Sequence, residues 1–337
     1  VGSEMCIRDS GGKLYETTTF RTEGSYSDGR HPDSVAFVPD VKEDLARRDF
    51  TINAMAYSAE EGLCDPFGGQ EDLARGVVRA VGEPLRRFEE DALRILRLYR
   101  FAARFGFVID EATEAAAKQL AAHLDCVSVE RIEEELNKLL SAPKPGAYLE
   151  PEVLAFVLPE LPPDDLSEAR EIIDALPAGA EEVTTRWAAL LLPLGEDGTR
   201  KALKRLKCSN TVIDGVSTLV KEKAPRTPAL SLQAKRLLGK YDLHIVQQLT
   251  ALWSALQPER KDKFTALQKE AETLTAQSAC CRVSQLAVNG RDLMAAGVAP
   301  GPGLRRALEA LLEEVITGRL PNEKAELLAF AAKFSAS

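Results

Sequence analysis

From Pro84 to the C-terminus the apolar residues of this 337-residue chain recur at intervals of three and four, and that period most constrains its fold. Leu93, Leu96, Tyr99 and Ala103 set the pattern. Pro/Gly clusters cut it into helix-sized lengths: "APKPG" (142–146), "LPELPPDD" (158–165), "LPAG" (176–179), "PLGEDG" (193–198), "APRTPA" (224–229) and "GVAPGPG" (297–303). The first 83 residues read differently. "KLYETTTFR" and "SVAFV" have strand composition on either side of a polar loop, "TEGSYSDGRHPD". "DVKEDLARRDFTINAMAYS" turns helical around Asp44–Ala46 and resumes as an apolar segment through Ile52–Tyr57. "DPFGG" is a turn and "VVRAVG" a short strand. The pattern predicts an α+β fold, a short mixed piece followed by a long all-α array. The opening decapeptide VGSEMCIRDS fits nothing downstream and reads as adapter-like, non-native sequence, so fold reasoning starts at Gly11. A compact α/β domain should not open with one hairpin, so the reading expects the beginning of that domain to be missing.

Hydrophobic residues make up 45% of the chain, enough to bury a core in more than one globular unit. No apolar run reaches the ~18 residues of a membrane span, and a soluble, cytoplasmic protein is expected. The six cysteines are scattered without a CxxC pair and only three histidines accompany them, which points to reduced structural thiols and away from zinc. The net charge of −9 argues against nucleic acid only on average. Residues 198–240 carry eleven Lys/Arg against Asp214 and Glu222, whereas 150–197 carry twelve acids against Arg170 and Arg186. A phosphate backbone senses local potential, so a positive surface is available to an acidic chain.

Two segments carry chemistry. "RRDFTINAMAY" (47–57) sets two guanidiniums and a carboxylate before an apolar element, with Asn53 four residues after Asp49. Guanidinium forks suit phosphate, but an Asp near a helix start also serves the helix dipole. "RRFEEDALRILRLYRFAARFGF" (86–107) holds six arginines with Glu89, Glu90 and Asp91. Glu90–Arg94 and Asp91–Arg94 are ordinary helical pairs of ~0.2–0.5 kcal/mol each. Arg97, Arg100 and Arg104 have no acid one turn before them. Steps of three drift about 60° apiece around a helix, giving a slanting basic stripe. A salt-bridged face and a polyanion surface both fit these residues alone.

In order, "TTFRTEGSYSDGRHPDSVAFV", "DLARRDFTINAMAY", "DPFGGQEDLARGVVRAVG", "RFEEDALRILRLYRFAARFGF" and "VSVERIEEELNKLL" resemble bacterial class II CCA-adding tRNA nucleotidyltransferases, relatives of bacterial poly(A) polymerases. The tail from "LAVNGRDLM" to "LLAFA" is similar to the same family's C-terminal helices. The resemblance implies a DNA polymerase β-type nucleotidyltransferase head, present in part, then an all-α neck, body and tail. It places the head at 11–83, the neck at 84–143, the body at 144–225 and a tRNA-binding tail at 226–337. The activity implied is template-independent addition of C, C and A to tRNA 3′ ends from CTP and ATP. By the same resemblance Arg48 contacts the incoming nucleotide, with Asp49 and Asn53 in support. Asp91 and Arg94 pair with the base edge, Glu90 positions Arg94, and Arg97 and Arg100 take phosphates. Residues 22–32 match the flexible element that switches C to A addition. Arg86, Arg87 and Arg104 receive no role.

Two departures qualify this. The family's Asp-x-Asp pair, which holds two Mg²⁺, has no counterpart; Glu16 and Asp28 lack its spacing, so no metal ligand or catalytic carboxylate is assigned. The chain as given is therefore expected to hold nucleotide and tRNA without extending the tRNA. In "WAALLLPLG" (187–195), Leu192 and Pro193 stand where many relatives carry His-Asp, which removes the expectation of phosphohydrolase activity. The alternatives are a bacterial poly(A) polymerase and a non-catalytic RNA-binding helical protein. Oligomeric state is left open.

Overall fold

The computed structural model describes residues 5–8, 14–17, 19–23, 35–162, 164, 166–225 and 229–332. It comprises two compact units, Val1–Val220 and Lys221–Ser337. No helix among the described residues is long and apolar enough to cross a membrane.

The strands of the first unit form four two-stranded pairs among the described residues. β1 (Met5–Arg8) is antiparallel to β2 (Leu14–Thr17), so the decapeptide set aside on sequence grounds contributes a strand. β3 (Arg21–Glu23) is antiparallel to β4 (Val35–Phe37), and Val38 N–H donates to Phe20 O at 3.0 Å to extend that ladder. The one strand expected over "KLYETTTFR" is thus two, because its halves pair with different partners. Next comes α1 (Val41–Ala46), capped by Asp40, whose carboxylate accepts from Lys42 N–H at 2.9 Å. The apolar stretch Ile52–Tyr57 divides into a 3-10 turn, Thr51–Asn53, and β5 (Ala56–Ser58), which forms a hairpin with β6 (Gly62–Cys64).

α2 (Gly69–Arg75) lies between Gly68 and Gly76, both left-handed, and leads to β7 (Val77–Val78). α3 (Pro84–Glu90) opens with proline, whose missing N–H costs nothing at a helix start. It stops at Asp91, whose backbone is extended, and α4 (Leu93–Phe105) begins at once. The arginine-rich segment is therefore two helices with a break between Glu90 and Leu93. Gly106, at φ 68°, ends α4, and β8 (Val108–Ile109) runs parallel to β7.

α5 (Glu111–Gln119) is capped by Asp110, and α6 (Val129–Leu140) packs along α4. Ile95, Leu98 and Ala102 of α4 and Leu136 and Leu140 of α6 are fully buried. Burying each of these leucine and isoleucine side chains contributes ~1.5–3 kcal/mol. The unit continues with α7 (Pro151–Val157), α8 (Leu166–Ala175), α9 (Val183–Leu191), α10 (Gly195–Arg205) and α11 (Asn210–Lys221). The interruption expected at "PLGEDG" is only a 3-10 turn, Leu192–Leu194, after which α10 starts inside the cluster.

In the second unit α12 (Leu230–Lys240), α13 (Leu243–Leu256) and α14 (Lys261–Ala276) pack together, with the Trp253 and Phe264 rings 5.8 Å apart. A separate core joins α15 (Gly290–Ala295), α16 (Pro302–Ile316) and α17 (Lys324–Ala331) through Leu293, Leu311 and Leu327.

Candidate functional site

Asp44 of α1 anchors one wall of the site, its side chain 1% exposed. Burial pushes its pKa up, but hydrogen bonds from Arg47, the Arg21 backbone and Arg48 outweigh that and hold it below the ordinary carboxylate value. Its Oδ1 accepts from Arg47 Nη2 at 2.6 Å and its Oδ2 from Arg48 Nη2 at 3.2 Å. One buried carboxylate thus aims two consecutive arginines. The chain then turns extended at Phe50, which is fully buried and bridges to Ala80. This leaves Asp49 8% exposed, accepting from Phe50 N–H at 2.9 Å and Asn53 Nδ2 at 3.1 Å. Arg97 reaches Asp49 from α4 with Nε at 2.9 Å and Nη2 at 2.5 Å. Burial raises the Asp49 pKa, yet the Arg97 charge and the hydrogen bonds bring it below its ordinary value.

The break between α3 and α4 supplies the other wall. Glu90 accepts from Arg87 Nη2 at 2.6 Å and from Arg94 Nη1 at 2.9 Å. Arg94 also donates to Arg87 O at 3.1 Å and Arg47 O at 2.9 Å, while Arg87 donates to Ala46 O at 2.9 Å. These bonds lock the helix break to the end of α1. Asp91 accepts from Leu93 N–H at 3.1 Å and from Arg131 Nη2, on α6, at 2.9 Å.

Between the two walls lies a cavity of about 560 Å³. Arg48, Asp49, Asn53, Asp91, Arg94 and Arg97 line it, joined by Arg21, Arg47, Phe101 and Arg131. Six arginines face two aspartates, and with Asp44 and Glu90 paired behind them an excess of two positive charges is left, suited to a polyphosphate. Among the described residues Arg48 Nε and Arg131 Nη1 are buried donors with no hydrogen-bond partner. At Asp91, carboxylate acceptors and arginine donors line the cavity side by side.

Two sequence-selected residues fall elsewhere. Glu90 stands behind Arg94 and does not line the cavity. Arg100 turns toward α6, where its Nε forms an ion pair with Glu135 Oε2 at 2.6 Å, both side chains at most 8% exposed. Its guanidinium lies 3.9 Å from the Phe101 ring centroid. Burial lowers the Arg100 pKa, with Glu135 opposing. The phosphate contact expected of Arg100 does not match this placement, because steps of three carry each successive arginine ~60° around the helix.

Arg21, Phe101 and Arg131 line the cavity without having been singled out in the sequence, and Arg47, one of the two guanidiniums noted there, received no role. Arg131 was present in the quoted segment "VSVERIEEELNKLL", but only the packing of α6 on α4 brings it to Asp91. The switching element at 22–32 lies outside the described residues except for the backbone of 22–23, as do Asp28 and the Glu16 side chain. Within the basic stretch 198–240, Arg205 pairs with Glu160, Lys207 with Glu130 and Arg236 with Glu313.

Family models described as "Poly A polymerase head domain", "RNA and SrmB-binding site of polymerase A" and "tRNA nucleotidyltransferase domain 2" match residues 3–79, 106–162 and 179–331. The CCA-adding enzyme of Limosilactobacillus fermentum is 38% identical over 96% of this chain and 79% of its own length. That of Geobacillus stearothermophilus is 35% identical over 95% and 79%. The chain belongs to the CCA-adding enzyme family. The crystal structure of the Bacillus stearothermophilus CCA-adding enzyme in complex with CTP superposes with a TM-score of 0.80 at 32% identity, covering 97% of this chain and 80% of that one. A Thermotoga maritima CCA-adding enzyme complexed with tRNA shares the fold, with a TM-score of 0.66 at 22% identity over 99% and 80%. Nucleotidyltransferases of the CCA-adding family generally use divalent metal ions. Among the described residues no group of three or more His, Cys, Asp or Glu side chains is arranged to hold one.

Proposed function

We propose that this chain serves the addition of C, C and A to tRNA 3′ ends, selecting CTP and ATP in the arginine-lined cavity, in the cytoplasm. One observation carries the reading: Asp91 and Arg94 share a 560 Å³ cavity with Arg48 and Arg97. The carboxylate and guanidinium pair with the Watson–Crick edge of C or A, and the arginines opposite meet the triphosphate. Glu90 holds Arg94 in register, while Asp49 and Asn53 hold Arg97 and the turn behind Arg48. In this reading residues 11–83 act as head, 84–143 as neck and 144–225 as body, and 226–337 form a tail that grips tRNA. Mg²⁺ is the ion expected to activate the tRNA hydroxyl, and this reading assigns none of the cavity residues to it. The residues of this cavity bind and choose the nucleotide.

Calorimetric titration with the four ribonucleoside triphosphates tests the assignment. CTP and ATP are expected to bind more tightly than GTP and UTP, and Asp91→Ala or Arg94→Ala to erase the preference. Unchanged preference in both variants would sink the base-reading assignment. Descriptions naming polymerase A favour poly(A) addition as a second reading. Product length on a tRNA lacking its 3′ end, measured with a version that carries the family's Asp-x-Asp pair, separates the two.

A further inference from the structure

Phe101 lines the nucleotide cavity, and one turn further along α4 Phe105 lies parallel to it, ring centroids 6.1 Å apart at 9°. Phe105 is 45% exposed and Val108 64%. The exposed Arg104 places its guanidinium carbon 5.6 Å from the Phe105 ring centroid. A structural role for this end of α4 is already filled by Phe107. Its N–H closes the helix on Ala102 O at 3.0 Å, and its ring packs 5.4 Å from Phe105. Phe105 nevertheless stays 45% exposed, beside the Arg104 guanidinium and stacked on Phe101 of the cavity lining.

We propose that Phe105 and Arg104 form a stacking platform for an unpaired base of the RNA strand whose 3′ end approaches the cavity. Aromatic rings flanked by arginines bind single strands by stacking any base and pairing its phosphate, without sequence preference. The surface fits that occupant because it couples an apolar ring to positive charge and adjoins the cavity through Phe101. The inference rests on the nucleotide-adding function proposed above, since it needs an RNA end beside that cavity.

The test is fluorescence anisotropy with an RNA minihelix bearing an unpaired 3′ overhang and with its blunt counterpart. The full chain is compared with Phe105→Ala, Phe105→Leu and Phe105→Trp. Losing the stack should weaken overhang binding about fivefold or more. Phe105→Ala and Phe105→Leu should both show that loss and leave blunt RNA unchanged, while Phe105→Trp restores affinity. Phe105→Leu keeps the apolar packing, so a loss there reports stacking and not misfolding. Wild-type overhang affinity in Phe105→Leu, an equal loss on both RNAs, or no overhang preference in the wild type overturns the proposal. CTP binding by the wild type is read separately by calorimetry. Its absence counts against the nucleotide function, whereas its presence with no overhang preference counts against the platform alone.

Discussion

Arg97 closes both Nε and Nη2 on a single oxygen of Asp49, 48 residues away, at 2.9 and 2.5 Å. The bond ties α4 to the turn that follows Arg47 and Arg48. Asp49→Asn should destabilise the protein by about 2 kcal/mol at neutral pH. That is below the ~3–5 kcal/mol of a fully buried pair, because a third of the Arg97 side chain is exposed. The Asp49 pKa is depressed in the folded protein, its burial outweighed by Arg97 and the hydrogen bonds. Its contribution is therefore complete above the unfolded carboxylate pKa of about 3.9 and is lost as pH falls through the lower folded value. Denaturant unfolding at pH 7 and about pH 3 should show the gap between wild type and Asp49→Asn shrinking in acid. A gap independent of pH would contradict the ion-pair account.

Arg100 and Glu135 are a buried pair that holds α4 against α6. Arg100→Ala leaves the buried Glu135 to the longer contact with Lys138 Nζ at 3.4 Å, so a loss of about 3 kcal/mol, the low end for a broken buried pair, is expected in urea unfolding. CTP affinity, measured where the variant is still folded, should change less than twofold. A large affinity loss without a stability loss would return Arg100 to the nucleotide.

These two residues show where sequence reasoning reached and where it stopped. The α+β order was legible because strand-like runs and then a helical period occupy separate stretches of chain. Asp49, Asp91, Arg94 and Arg97, which line one cavity, were grouped by the family resemblance, since the two segments alone also fit a salt-bridged face. Arg131 and Arg21 were not, since their approach depends on α6 packing and on the strand before α1. The resemblance gave Arg100 the role of Arg97, and helical spacing could not correct it, because it shows a stripe but not which side of the stripe meets another helix. The break at Asp91 was hidden too, because Glu90 and Arg94 would also face each other in one continuous helix.

Glu90 is shared by Arg87 and Arg94, and it stands behind the cavity wall. Glu90→Gln keeps the shape but removes the charge that pins both guanidiniums. Discrimination between CTP and UTP in calorimetric titration should fall by roughly tenfold, corresponding to about 1.4 kcal/mol. Glu90→Asp, which retains the charge, should fall less. Equal discrimination in all three proteins would show that the backbone acceptors at Arg87 and Arg47 suffice to hold Arg94.

Gly68 and Gly69 begin α2 side by side but answer to different constraints. Gly68 has φ of 72° with open space around it, so alanine there costs only the left-handed backbone, roughly 1–2 kcal/mol. Gly69 has no such φ, but a Cβ there would land on the Thr51 carbonyl oxygen. Backbone is not free to rotate aside as a side chain is. Gly69→Ala must therefore displace the 3-10 turn Thr51–Asn53, which Thr51 Oγ1 anchors to Asp72 Oδ2 at 2.7 Å. Moving that turn shifts Asn53 from Asp49 and opens one side of the nucleotide cavity. Both variants should unfold at lower urea than wild type, but only Gly69→Ala should also weaken CTP binding, by about tenfold. Equal CTP affinity in the two would separate the turn from the site and refute the linkage.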